Sequence, residues 1–103
     1  MTGTPGSLGP FRLGDLPADP LEIRVIRPGD TAPLSGVSAA FIEMLTPDAQ
    51  LQSWRATIDG ATVRATFPVA FSQLGQYRVR ARLTGPGGVV ERTAWAPFWV
   101  RPV

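Results

Sequence analysis

The sequence predicts an all-β protein, a single antiparallel β-sandwich of about seven short strands behind an extended N-terminal arm. Three observations predict it. From residue 21 onward apolar side chains recur with period two, the signature of half-buried strands. Clusters of Gly, Pro and Asp interrupt them at short intervals, and no stretch keeps a helical period long enough for more than a turn. The chain has 103 residues, and a domain of that size buries roughly 60–70% of its unfolded surface without needing cross-links.

Residues 1–20 stand apart from the rest. They contain Gly3, Gly6, Gly9 and Gly14 together with Pro5, Pro10, Pro17 and Pro20. Proline removes backbone donors and glycine adds chain entropy, so neither a helix nor a long ladder is expected there. Phe11, Leu13 and Leu16 interrupt the polar composition, and a plain spacer would not need them. Two readings stay open: a disordered tail, or an arm that orders when those three side chains dock on a partner. The sandwich domain is then residues 21–103.

The strands follow in order. Leu21, Ile23 and Val25 alternate with Glu22 and Arg24, and Pro28-Gly29-Asp30 turns the chain. Residues 37–45 form a nearly continuous apolar run, and Phe41 and Ile42 favour a central strand over a helix. In residues 51–58, Trp54, Ala56 and Ile58 face one way. Asp59-Gly60 marks a hairpin, because its turn needs positive φ. Beyond it Ala61, Val63, Ala65 and Phe67 alternate with Thr62, Arg64 and Thr66. Residues 69–74 leave room for one helical turn. In residues 76–83, Tyr77, Val79, Ala81 and Leu83 point inward while Gln76, Arg78, Arg80 and Arg82 point outward. Gly85-Pro86-Gly87-Gly88 then turns into a last strand over residues 89–100, in which Pro97 requires a bulge or an edge.

Composition narrows the chemistry. Cysteine, histidine, lysine and asparagine are absent, and all ten basic residues are arginine. No disulfide and no thiolate metal site is available, the usual base near neutral pH is missing, and most nucleophiles are gone. No calcium-loop spacing, no facing carboxylate pair and no Gly-x-Ser-x-Gly elbow occurs. No catalysis, cofactor or metal is therefore expected. The net charge of +2 is too small to predict a specific nucleic-acid target. Neither a signal peptide nor a membrane-spanning run of about 20 apolar residues is seen.

The stretch Gly75-Gln76-Tyr77-Arg78-Val79 has the Gly-x-Tyr-x-Val form that opens the strand carrying a tyrosine corner, and Trp54 lies mid-strand some two strands earlier. Together they resemble immunoglobulin-like domains, which implies that the Tyr77 hydroxyl bonds back to upstream backbone. A longer order of features is Pro33-Leu34-Ser35-Gly36-Val37, Thr46-Pro47-Asp48, Asp59-Gly60 and Leu74-Gly75-Gln76-Tyr77. It resembles the small β-sandwich domains of tailed-phage virion proteins, particularly the amino-terminal domains of upper baseplate proteins. That resemblance implies attachment to other virion proteins and supplies no catalytic residues. A capsid-decorating or tail-decorating protein fits the chain equally, and its location would be the virion after synthesis in the host cytoplasm.

Three groups of residues are candidates for binding. Phe11, Leu13 and Leu16 belong to the arm. Arg78, Arg80 and Arg82 form a stripe whose spacing of about 7 Å matches successive anionic groups, with Arg64 or Arg92 across from it. The plainer reading is a solvated ladder partnered by Glu22, Glu43 and Glu91. Three phosphate contacts would give a duplex-binding salt slope of only about −2.7. Trp95, Phe98 and Trp99 cannot all face the core unless Pro97 sits at a bulge, so one or both Trp side chains could mark an interface or a glycan platform. The expected function is a non-enzymatic virion structural protein that decorates or stabilises a capsid, tail or baseplate lattice, with homo-oligomerisation open. The alternative is a carbohydrate-binding or adhesion module that uses exposed Trp residues.

Overall fold

A computed structural model describes residues 2–5, 8–26 and 36–103. They fold as an immunoglobulin-like β-sandwich whose strands are β1 (Thr2–Pro5), β2 (Phe11–Arg12), β3 (Leu21–Ile26), β4 (Ala39–Leu45), β5 (Leu51–Asp59), β6 (Thr62–Ala65), β7 (Gly75–Thr84), β8 (Val90–Arg92) and β9 (Ala96–Arg101). Hydrogen bonding runs β1-β3-β6-β5-β4-β7-β9-β2, with β8 added to β7. The sheet curls over so that β1, β3 and β6 face β4, β7 and β9. The long strand β5 belongs to both layers. Its residues 51–56 pair with β4, and its last three, Thr57, Ile58 and Asp59, pair with β6.

Alternation drives the layering. Leu21, Ile23 and Val25 of β3 and Tyr77, Val79, Ala81 and Leu83 of β7 are all buried, as period two requires of strands with one wet face. Gly60 takes φ 61°, the conformation demanded of the predicted hairpin between β5 and β6. The predicted turn at Pro28-Gly29-Asp30 lies outside the described residues. No α-helix occurs among those residues. Residues 66–74 form an irregular loop that drops Phe67 and Phe71 into the core, and the room for a helical turn over residues 69–74 is not used.

The tyrosine corner forms as its motif implies. The Tyr77 hydroxyl accepts from the Gln73 N–H at 3.2 Å and donates to the Gln73 carbonyl at 3.3 Å. Its ring stacks on Phe98 with centroids 5.3 Å apart and meets Phe71 edge-on at 5.4 Å. Burial disfavours the phenolate and the nearby charge of Asp48 adds to it, so the hydroxyl titrates above its ordinary value of 10.0. Trp54 lies on β5, as its strand was read, and is only half-buried against Phe67.

The N-terminal segment departs from the expected free arm. Strand β1 pairs antiparallel with β3, and β2 pairs parallel with β9, so one segment touches both layers. Gly14 N–H donates to the Phe71 carbonyl at 2.9 Å and Phe71 N–H to the Asp15 carbonyl at 3.0 Å. Phe11 and Leu13 pack on the core. Phe11 meets the rings of Phe71, Phe98 and Phe67 at 5.0, 5.5 and 5.8 Å. Two of the three side chains assigned to a partner are thus spent on the chain's own interior, where aromatic contacts add to simple burial. Leu16 alone stays exposed.

The C-terminal strand also differs. In place of one strand over residues 89–100 there are two, because the register slips by one residue between them. Arg82 opposes Arg92, whereas Val79 opposes Ala96, leaving three residues against two. This is a β-bulge at residues 93–95. Thr93 anchors it, donating its N–H to the Ala81 carbonyl at 3.0 Å and accepting the Ala81 N–H on its hydroxyl at 3.0 Å. Pro97 lies in β9 opposite Arg78, on a stretch whose far edge is open because β2 covers only Val100 and Arg101.

Two outcomes follow. Phe11→Ala should lower unfolding stability by about 2 kcal/mol or more, read from urea transitions, whereas a free arm would leave it unchanged. Tyr77 is the sole tyrosine and lysine is absent, so its ionisation can be followed at 295 nm with little competition. The fold favours the neutral phenol, so that contribution is complete below pH 10 and declines as pH rises through the elevated native value. Tyr77→Phe should remove that alkaline loss while costing about 1 kcal/mol at neutral pH.

Candidate functional site

The outward face of β5, β4, β7, β8 and β9 gathers the chain's charge. Where β5 pairs with β4 (residues 51–56) and across β4, β7, β8 and β9, Arg55, Arg78, Arg80, Arg82, Arg92 and Arg101 project from it, six of the chain's ten arginines, accompanied among the described residues by one carboxylate, Glu43. The modest net charge of the whole chain hides this segregation.

Glu43 organises one end of the face. Its side chain is only 3% exposed, which would be prohibitive for an isolated carboxylate. The compensation comes from β7 and β8. Arg80 Nε donates to Glu43 Oε1 at 2.8 Å, Arg92 Nε lies 3.4 Å from the same oxygen, and an Arg82 terminal nitrogen is 3.6 Å from Oε2. Register dictates this convergence, since Glu43 opposes Arg80 directly across the β4–β7 ladder. The same arginines lie on aromatic rings: Arg80 sits 4.0 Å from the Trp95 centroid and Arg82 4.5 Å from that of Phe41. Arg55 approaches the Phe41 ring at 5.7 Å. With its plane on Phe41, Arg82 leaves a buried Nε without a partner.

The predicted stripe therefore divides. Arg80 and Arg82 are held by Glu43, in keeping with the partnered ladder, and the other proposed partner pair forms between Arg64 and Glu22 at 2.9 Å. Arg78 is different. It is exposed and makes no ion pair or side-chain hydrogen bond among the described residues.

Unbroken alternation along β9 settles the parity of the Trp95, Phe98 and Trp99 group. Phe98 is buried and stacks on Tyr77, so it is a core residue and not an interface candidate. Trp95 and Trp99 both reach the outer face. Trp95 is half-buried under Arg80, whereas Trp99 is 46% exposed, with Arg101 at 5.5 Å from its ring.

Trp99 and Arg78 meet at the other end of the face, beside a groove of about 370 Å³. Gln76 and Arg78 of β7 form its floor, Trp99 of β9 one side, and Leu45, Pro47 and Ala49 the other. The turn that builds this second wall is rigid. Thr46 N–H donates to the Gln50 carbonyl at 3.0 Å, Gln50 N–H returns to the Thr46 hydroxyl at 3.0 Å, and that hydroxyl also bonds to the Asp48 carboxylate. Hydrogen bonds from Thr46 and Gln73 hold the Asp48 carboxyl below its ordinary value. Ala49 sits at φ 66°, a left-handed conformation uncommon for a residue other than glycine. Glu43 was named from sequence only as a partner of the arginine ladder, and Phe41, Arg55 and Arg101 were not placed in the site. Glu43 did carry a signal, being the one acid inside the apolar run of residues 37–45.

No protein-family model matches the chain, and no curated protein does. Replacing Glu43 by Gln should cost on the order of 2 kcal/mol, below the ~3–5 of a fully buried pair because the arginines can turn to water. The same change at the exposed Glu22 should stay within about 1 kcal/mol, and urea unfolding of both variants makes the comparison. Among solved structures, the chain is similar to the crystal structure of CopC from Methylosinus trichosporium OB3b, with a TM-score of 0.56 at 15% identity over 97% of this chain and 94% of that one; what the two share is the fold.

Proposed function

We propose that the chain is a non-enzymatic docking module, an accessory β-sandwich that seats on a larger assembly through the arginine-rich end of its outer face. The observation that carries this reading is the segregation of charge. Arg80, Arg82 and Arg92 surround the buried carboxylate of Glu43 and Arg55 lies over the neighbouring Phe41, leaving an excess of fixed positive charge on that part of the face.

Such a surface suits an acidic protein lattice. Guanidinium groups already held by Glu43, Phe41 and Trp95 lose little side-chain freedom on binding, and their planar forks match carboxylates. A modest patch becomes effective when many copies bind one particle. The phage-virion setting is carried by the sequence resemblance, and the partners would be capsid or tail subunits. With Phe11 and Leu13 committed to the core, the sheet face takes over the docking role first given to the arm. The lack of histidine and cysteine supports a role without catalysis.

The test is to induce particles from the source strain, band them by density and look for the chain by mass spectrometry. The chain should co-band, wash off as salt is raised from about 0.1 M to 1 M because screening shortens to ~3 Å, and be lost from particles when Arg55 is changed to Glu. Particles that never carry the chain would overturn the virion assignment.

A further inference from the structure

The groove beside Trp99 is separate from the Glu43 cluster. Arg78 of the groove and Arg80 of the cluster are alternate residues of β7, about 7 Å apart, but the two sites share no side chain, so the groove's ligand is inferred independently of the docking reading. Three properties distinguish it. Trp99 is the most open aromatic ring on the face. Arg78 is the one arginine of that face with neither a carboxylate nor a ring as partner among the described residues. Gln76, next to both on the groove floor, has a side-chain amide that makes no hydrogen bond there.

We propose that this groove binds an acidic saccharide. The apolar face of a pyranose ring lies on the indole of Trp99, a sugar carboxylate takes the fork of Arg78, and neighbouring hydroxyls bond to the Gln76 amide. Each part has its chemical reason. An indole is a broad apolar plane with a polar edge. An unpaired guanidinium accepts a carboxylate through two parallel charge-assisted bonds. A primary amide both donates and accepts, as adjacent hydroxyls require. Leu45, Pro47 and Ala49 close the other side with aliphatic surface, and the braced turn that carries two of them keeps the groove open without a ligand.

Other occupants fit less well. A single nucleic-acid strand needs successive open rings on which to stack, but guanidinium groups cover Trp95 at 4.0 Å and Phe41 at 4.5 Å. A simple anion would find one free cation and nothing else. A neutral sugar would leave Arg78 unmatched. The groove's volume is at the small end for ligand clefts, which suits one or two sugar rings.

The experiment titrates the whole chain with a galacturonic acid tetrasaccharide and with a hyaluronan tetrasaccharide, following the indole N–H of Trp99 and the Nε–H of Arg78 by NMR. Saturable shifts of both signals with at least one of them are expected. The methyl ester of the galacturonic tetramer should bind at least tenfold more weakly. Trp99→Ala and Arg78→Gln should each weaken binding at least tenfold with the spectrum otherwise unchanged, while Arg24→Gln, at an exposed arginine of β3, leaves it intact. The proposal fails if neither saccharide shifts the two signals saturably, or if the methyl ester binds as well as the acid. It fails equally if sulfate or a mononucleotide competes as effectively as the saccharide, since the groove would then read charge or a base and not a sugar acid.

Discussion

A carboxylate out of water cannot stand alone, and Glu43 sits on a sheet face where only side chains can neutralise it. Arg80 and Arg92 crowd one of its oxygens and Arg82 the other. Two of these arginines, Arg80 and Arg82, also lie over Trp95 and Phe41, so rings that would otherwise be open apolar surface are capped. The cluster thus sets which groups on the face are already committed. Arg78, two residues before Arg80 on β7, escapes that demand, and Trp99 has only Arg101 near its ring, at the longer distance of 5.5 Å. The two ends of one face acquire different character from a single buried charge.

The interior rests on a second set of constraints. Phe11, Phe67, Phe71, Tyr77 and Phe98 arrive from β2, from the loop before β7, and from β7 and β9, and they meet in one aromatic cluster. Tyr77 ties that cluster to the backbone of Gln73, so the loop's path and the ring packing fix each other. Gly75, at φ 120°, lets the chain enter β7 with its backbone close against Pro47; a β-carbon there would come within 3.4 Å of that ring besides straining the backbone. The turn that walls the groove is therefore set from behind by the start of β7.

Much of this was legible in the sequence because it is local. Alternation in β3, β6 and β7, the Asp59-Gly60 hairpin and the Gly-x-Tyr-x-Val corner each need only a few neighbouring residues to declare themselves. The N-terminal segment was read wrongly for the complementary reason. Its strands are four and two residues long, too short for any period, and they exist only because β3 and β9 offer edges far away in sequence. Phe11 and Leu13 were recognised as needing a partner; the partner proved to be the chain itself. The bulge was not legible from Trp95, Phe98 and Trp99, because simple alternation already puts Phe98 inside and both Trp side chains outside. Pro97 drew attention as the irregular residue, whereas Thr93, whose hydroxyl and N–H both bond to Ala81, performs the slip. Arg78, Arg80 and Arg82 look equivalent along the chain, and only the register of β4 against β7 separates the held pair from the free one.

The division of β5 between layers has a mechanical meaning. A sandwich of two independent sheets can shear or part along the plane between them, resisted only by side-chain packing. Here one continuous backbone crosses that plane, bonded to β4 over its first six residues and to β6 over its last three. The N-terminal segment repeats the crossing at the far margin by joining β3 through β1 and β9 through β2. The layers are laced at both borders, so a load applied to the outer face passes into the opposite layer as tension along peptide bonds before it can pry the core open.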